Sequence, residues 1–242
     1  MLPLTPPQAN EVHVFYLFPQ EARAQSLLQP FEKILSSDEI ERRNRYVPER
    51  SRTEYLLGRG MIRSVLSAYS GKRPEEWIFQ LGSHGRPEVV NWDEPTSIHF
   101  NLSHSHEVVI CAFSRIYEVG IDVEYQCRRT NYLEVGRHVF SSKEWLDMSQ
   151  LPAEQQRGRF FQFWTLKEAY IKARGMGLSI PLKEFAFELA QPITIEFSDQ
   201  ILDEASQWQF HFLDIKADHP VALATKIPSS KTVLIRQFNF EE

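Results

Sequence analysis

The chain has 242 residues, 42% hydrophobic and 24% charged, enough apolar content to offset the entropy of ordering, so disorder and fibrous composition are excluded. Its 27 basic and 32 acidic residues leave a net charge of −5, which is not the footprint of a general nucleic-acid binder. Two cysteines make no disulfide framework and point to a reduced, cytoplasmic compartment; no apolar run approaches the roughly 20 residues of a membrane span, and Met1-Leu-Pro-Leu-Thr-Pro-Pro lacks the basic and apolar regions of a signal peptide.

Glu11–Phe18, rich in β-branched and aromatic residues, reads as a first strand. A short helical stretch follows, and Ser37-Asp38-Glu39 carries the cap chemistry that opens another. Over Ser51–Ser70 the apolar residues Tyr55, Leu57, Met61, Ile62, Val65, Leu66 and Tyr69 recur at three and four, which predicts a helix ended by Gly71. Trp77–Leu81, Glu88–Val90 and Ser97–Leu102 are expected as short strands between Gly and Pro turns. Val108–Ser114 and Val119–Tyr125 are expected as two buried strands joined in a hairpin.

Helical periodicity returns over Asn131–Met148, broken near Phe140-Ser141, and over Ala153–Arg174, which Gly175 and Gly177 end. Phe185–Leu189, Ile193–Phe197, Trp208–Leu213, Val221–Ala224 and Thr232–Gln237 alternate as strands. No internal repeat is visible. The order predicts an α+β fold of two similar-sized halves, residues 1–116 and 117–242, packed closely because no Pro/Ser-rich linker separates them.

Four segments could carry chemistry. In Gly120-Ile121-Asp122-Val123-Glu124, strand alternation puts Ile121 and Val123 on one face and Asp122 with Glu124 on the other. Two such carboxylates repel unless a cation lies between them, and Mg²⁺ commonly takes one or two carboxylates plus substrate phosphate oxygens. The same run also reads as a half-buried strand with a solvated acidic face. In Phe163-Trp-Thr-Leu-Lys-Glu-Ala-Tyr-Ile-Lys172, helical spacing lines Trp164, Glu168 and Lys172 along one ridge, with Lys167 beside it. That is a candidate base with phosphate-binding cations; equally, it is a surface Glu-to-Lys pair with Trp164 in the core.

Asn101-Leu-Ser-His-Ser-His106 reads as a turn after a strand, offering hydroxyls, an amide and an imidazole to a phosphate. It is not a nucleophile elbow, because no Gly-x-Ser-x-Gly surrounds Ser103. Arg86, in Gly85-Arg86-Pro87, could grip a phosphate with two parallel bonds or simply be solvated, and Arg52, Arg59 and Arg63 on the first long helix share both readings.

In this order the motifs resemble the 4′-phosphopantetheinyl transferases of the surfactin-synthetase type, whose patterns are G-K/R-P, N-hydrophobic-S-H-S, G-I-D-hydrophobic-E and F/W-W-[ST]-x-K-E-[AS]-[YF]-x-K at similar spacing. The likeness runs from about Ser36 to Leu189. It implies transfer of the phosphopantetheine arm of coenzyme A to a serine of an apo acyl or peptidyl carrier protein, releasing adenosine 3′,5′-bisphosphate. It also implies two pseudo-equivalent α/β halves, each with an antiparallel sheet and helices, with coenzyme A in the cleft between them and Mg²⁺, or Mn²⁺, on its pyrophosphate.

By motif, Asp122, Glu124 and Glu144 resemble the metal carboxylates; Ser103, His104, Arg86, Arg52 and Arg59 the nucleotide and 3′-phosphate contacts. Lys167 and Lys172 resemble the phosphate-facing lysines, Glu168 the base, and Trp164 a group that orients them. Nucleotide contacts would come from the N-terminal half and metal and catalytic residues from the C-terminal half. The expected partner is the carrier protein, docking near Arg128 and Arg129, with no nucleic acid and no membrane, and the chain is expected to act as a cytoplasmic monomer. Two other readings stand beside this one: a metal-dependent phosphate-ester hydrolase using the same carboxylates, and a non-catalytic module binding carrier proteins.

Overall fold

The computed structural model describes residues 5–82, 85–93 and 98–240. The chain forms two compact units, one of residues 1–116 with 234–242 and one of residues 117–233.

In the first unit, β1 (Glu11–Leu17) is followed by α1 (Ala22–Glu32), α2 (Ser37–Asn44) and α3 (Glu49–Ser70), then the hairpin β2 (Phe79–Leu81) and β3 (Pro87–Val89), then β4 (His99–Ser105) and β5 (Val108–Ser114). The second unit has β6 (Val119–Val123), α4 (Tyr132–Val139), α5 (Ser142–Ser149) and α6 (Ala153–Arg174), then the hairpin β7 (Phe185–Glu188) and β8 (Thr194–Phe197), then β9 (Gln209–Lys216) and β10 (His219–Thr225). Both units therefore run strand, three helices, hairpin, hairpin. Their main sheets also share one order: β1-β5-β4 in the first, β6-β10-β9 in the second. This is a repeat of topology that the sequence does not display.

Each unit lays a 22-residue helix on its sheet. In the first, Leu56, Leu57, Met61, Val65 and Leu66 of α3 pack with Phe15, Leu17, Phe100, Cys111 and Phe113 of the strands. In the second, Phe160, Phe163, Leu166, Ala169, Tyr170 and Ala173 of α6 pack with Phe210, Ala222 and Ala224. Both helices end in a left-handed glycine, Gly71 at φ 76° and Gly175 at φ 65°, where a Cβ would be strained.

Three expectations need correcting. Val108–Ser114 and the strand after it form no hairpin: β5 is buried along its whole length and has both edges taken, by β1 and β4, while β6 pairs with β10. The last strand, β11 (Leu234–Asn239), belongs with the first unit, not the second: it pairs in parallel with β1 from Glu11↔Leu234 to Tyr16↔Asn239. Aromatic burial holds it there, since Phe238 stacks on Phe15 at 4.8 Å and Phe240 lies in the first core. The first sheet is consequently mixed rather than wholly antiparallel. Third, the Asn-Leu-Ser-His-Ser run is not a turn: it lies on β4, which continues to Ser105, and the turn comes at His106, with φ 51°. Ser97, expected to open that strand, lies outside the described residues. No helix among the described residues is long and apolar enough to cross a membrane.

Candidate active site

In the second unit a missing side chain sets the geometry. A Cβ on Gly120 would sit 2.1 Å from the Ala169 carbonyl oxygen and 2.4 Å from the Ala173 nitrogen, so α6 rests directly on the β6 backbone. That close approach brings Asp122 and Glu124, at the end of the strand, to the ridge of α6 that carries Trp164, Glu168 and Lys172. Lys172 Nζ donates to Asp122 Oδ1 at 2.6 Å and to the Ile121 carbonyl at 3.4 Å. Trp164 Nε1–H donates to Glu124 Oε1 at 2.7 Å, and the Arg128 guanidinium pairs with Glu124 Oε2 at 2.8 Å. The indole also stacks on Phe160, which fixes its plane.

The surface pair Glu168–Lys172 that helical spacing offered does not form, because Lys172 reaches across to Asp122. Among the described residues the Glu168 side chain makes no hydrogen bond or ion pair. Burial pushes the Glu168 carboxyl above its ordinary range, and the Asp122 charge adds to that. Burial and the same neighbour push Glu124 up to about 7. Three carboxylates thus share one buried field against two cations, Lys172 and Arg128.

An all-oxygen, hard donor set with excess negative charge fits Mg²⁺ or Mn²⁺. Among the described residues, no three acidic or metal-ligating side chains close around one point, so such a cation would complete its shell with substrate oxygens.

Two expected members of this group lie elsewhere. Lys167, 1% exposed, spends its donors on Glu144 Oε2 (2.9 Å) and on the carbonyls of Leu182 (2.8 Å) and Phe185 (2.7 Å). Glu144, also 1% exposed, accepts the Ser141 N–H in a capping box that starts α5, and the Phe187 N–H at 3.1 Å. The pair ties α5, α6 and β7 together and is not placed to meet a metal or a phosphate. The capping box was visible in Ser141-x-x-Glu144; the burial of Lys167 was not. Conversely, Arg128, expected only near a docking surface, holds a carboxylate of the site.

In the first unit Ser103 is buried on β4 and paired across the ladder with Ile110. His104 Nδ1 lies 3.1 Å from Glu54 Oε2 on α3. Arg86 donates to the Phe100 carbonyl at 3.2 Å. Arg52 is half-buried, and its side chain makes no hydrogen bond or ion pair among the described residues. Arg59 is corrected: its guanidinium is buried, contacts Glu39 Oε1 at 2.5–2.6 Å and stacks over Phe79, so it is not available to a ligand phosphate. Arg63 takes the other Glu39 oxygen at 2.7 Å. Burial alone would raise the Glu39 carboxyl; the two guanidiniums hold it below its ordinary value.

Two family models match the chain, the 4′-phosphopantetheinyl transferase superfamily over residues 118–224 and the 4′-phosphopantetheinyl transferase N-terminal family over residues 22–115. The chain is 37% identical to the 4′-phosphopantetheinyl transferase HetI of Nostoc sp., over 71% of each sequence. It is 30% identical to the 4′-phosphopantetheinyl transferase Sfp of Bacillus subtilis, over 77% of this chain and 81% of that protein. It is 34% identical to the 4′-phosphopantetheinyl transferase gsp of Aneurinibacillus migulanus, over 62% of this chain and 60% of that one.

Proposed function

The chain belongs to the 4′-phosphopantetheinyl transferases, and on that premise we propose that it moves the phosphopantetheine arm of coenzyme A to a serine of an apo acyl or peptidyl carrier protein. The observation that carries the residue roles is the convergence of Asp122, Glu124, Trp164, Glu168 and Lys172 where α6 meets β6. In the reaction the serine oxygen bonds to the β-phosphorus of coenzyme A as the bond to the bridging pyrophosphate oxygen breaks. Adenosine 3′,5′-bisphosphate leaves, and the serine proton goes to Glu168.

A base needs an affinity for protons near the working pH, and the upward push on Glu168 supplies it. Lys172 neutralises the charge growing on the leaving phosphate. Trp164 holds Glu124 in place through its indole N–H. Asp122 and Glu124 would hold the Mg²⁺ or Mn²⁺, which when bound offsets the pyrophosphate charge. In the first unit, Arg52, Arg86, Ser103 and His104 take the nucleotide and its phosphates. The chain acts as a cytoplasmic monomer and needs neither nucleic acid nor membrane.

The test is incubation with coenzyme A, Mg²⁺ and a panel of apo carriers, read by intact mass. A carrier that gains the phosphopantetheine mass supports the reading. Consumption of coenzyme A with every carrier unmodified would replace it with a hydrolase. Excess chelator should abolish transfer and added Mg²⁺ or Mn²⁺ restore it; full activity in chelator overturns the metal assignment.

A further inference from the structure

The Asn-Leu-Ser-His-Ser strand and α3 meet at a cluster built around Glu54, a buried acid to which the reaction above gives no part. Glu54, on α3, is 5% exposed, yet it is held by two polar side chains that reach solvent. Its Oε1 accepts from Arg50 Nε at 2.7 Å, and its Oε2 lies 3.1 Å from His104 Nδ1. Arg50 Nη1 in turn lies 2.6 Å from His106 Nδ1, and Glu107 stands 3.9 Å from His106 Nε2. The Arg50 and His104 side chains are 43% and 40% exposed.

Hydrogen-bond logic fixes the protons. Arginine only donates, so His106 Nδ1 must be the acceptor and its proton is on Nε2. A carboxylate only accepts, so His104 must carry its proton on Nδ1. Burial alone would push the Glu54 carboxyl up, but its bonds to His104 and Arg50 hold it below the ordinary value, so it is ionised. With Nδ1–H committed to the buried carboxylate, Nε2 is the ring atom left for a ligand. A phosphate dianion only accepts, so His104 can serve it only with a second proton, as the imidazolium.

We infer that Glu54 is a positioning residue for phosphate recognition: it orients His104 through Nδ1–H and balances the imidazolium charge that Nε2–H must carry to donate to the 3′-phosphate of coenzyme A. This rests on the reading of His104 as a phosphate contact. It gives a buried acid, unexpected beside an anion site, a defined part in binding an anion, as outer-shell carboxylates do for ligating histidines.

The experiment compares dissociation constants for coenzyme A and dephospho-coenzyme A by titration calorimetry without carrier protein, for wild type, Glu54→Gln, His104→Ala and the double variant. Wild type should prefer coenzyme A. Glu54→Gln should lose about tenfold of that preference, the size of a weakened charge-assisted bond, with dephospho-coenzyme A binding unchanged. In the His104→Ala background the same change should cost no further preference. A preference in Glu54→Gln equal to wild type, or an equal loss for both ligands, overturns the inference while leaving His104 as the contact. Equal wild-type affinity for the two ligands overturns both. Imidazole ¹⁵N shifts of the wild-type protein give an arm that needs no variant: His104 should carry its proton on Nδ1, and a proton only on Nε2 overturns the inference.

Discussion

At Glu168, shape and charge can be tested apart. Glu168→Gln keeps the side chain's volume but cannot accept the serine proton. Single-turnover transfer should therefore slow about 10²–10⁴-fold, with coenzyme A affinity largely kept. A rate within about threefold of wild type, on the same view of base catalysis, excludes Glu168 as the base and moves the role to Glu124. If the Mg²⁺ midpoint rises along with the fall in rate, Glu168 serves the metal instead, which its closeness to the Asp122 charge allows. Glu39 offers a pH test. Its carboxyl is held below the ordinary value of 4.5 by two buried guanidiniums. Its contribution is thus fully present above that value and is lost as pH falls through the lower, folded-state value. Glu39→Gln leaves Arg59 and Arg63 unpaired in the core and should cost about 3–5 kcal/mol at neutral pH. The difference from wild type should shrink as denaturation is followed into acid; a constant difference down to pH 2 contradicts the pairing.

Between elements, the contacts that matter most leave the weakest trace in the sequence. The ridge of Trp164, Glu168 and Lys172 was legible, because helical spacing alone groups the three. So were the facing carboxylates, because strand alternation groups Asp122 with Glu124. That the two would meet depends on Gly120, and nothing local says what presses on a glycine. Gly120→Ala should destabilise the second unit by about 1–3 kcal/mol or more, since the obstacle is helix backbone rather than a side chain that can rotate away. Lys167 shows the opposite limit. Its chemistry suggested a phosphate contact, and the composition of the helix could not reveal that the Leu182 and Phe185 carbonyls close over it. Lys167→Met should cost about 3–5 kcal/mol by stranding Glu144, and adding Glu144→Gln should return part of that loss. Equal costs for the single and double variants, measured by urea unfolding, would remove the pair from the structural account. The supposed hairpin of β5 and β6 failed for a related reason: adjacent apolar runs look like partners, while the actual partners, β1, β4 and β10, are set by packing far along the chain.

For the whole molecule, the repeated order of strand, three helices and two hairpins is carried by topology alone. Its counterparts share little: α3 packs Leu57, Met61 and Leu66 where α6 packs Phe160, Phe163 and Tyr170. The same architecture is filled by different side chains, so comparing residues by eye cannot find it. What breaks the symmetry is β11, which returns to the first unit after the second is complete. Ending the chain at Val233 should remove the Phe238 stack and the buried Phe240, each comparable to a core Phe truncation of about 3–5 kcal/mol. Hydrogen exchange should then show protection lost over β1, β4 and β5 and kept over β6, β9 and β10; uniform loss would contradict the assignment of β11 to the first unit. The same strand governs how the protein is made. On the ribosome β1 emerges early, but its parallel partner comes only after the entire second unit has been translated. Until then one edge of β1 offers unpaired amides and carbonyls, the kind of template on which nascent chains mispair. The second unit is one continuous stretch and can fold as it emerges, whereas the first is completed by a strand translated only after the second. Its vulnerability is therefore one of timing, and slow translation of residues 117–233 would lengthen the period for which a holdase is needed.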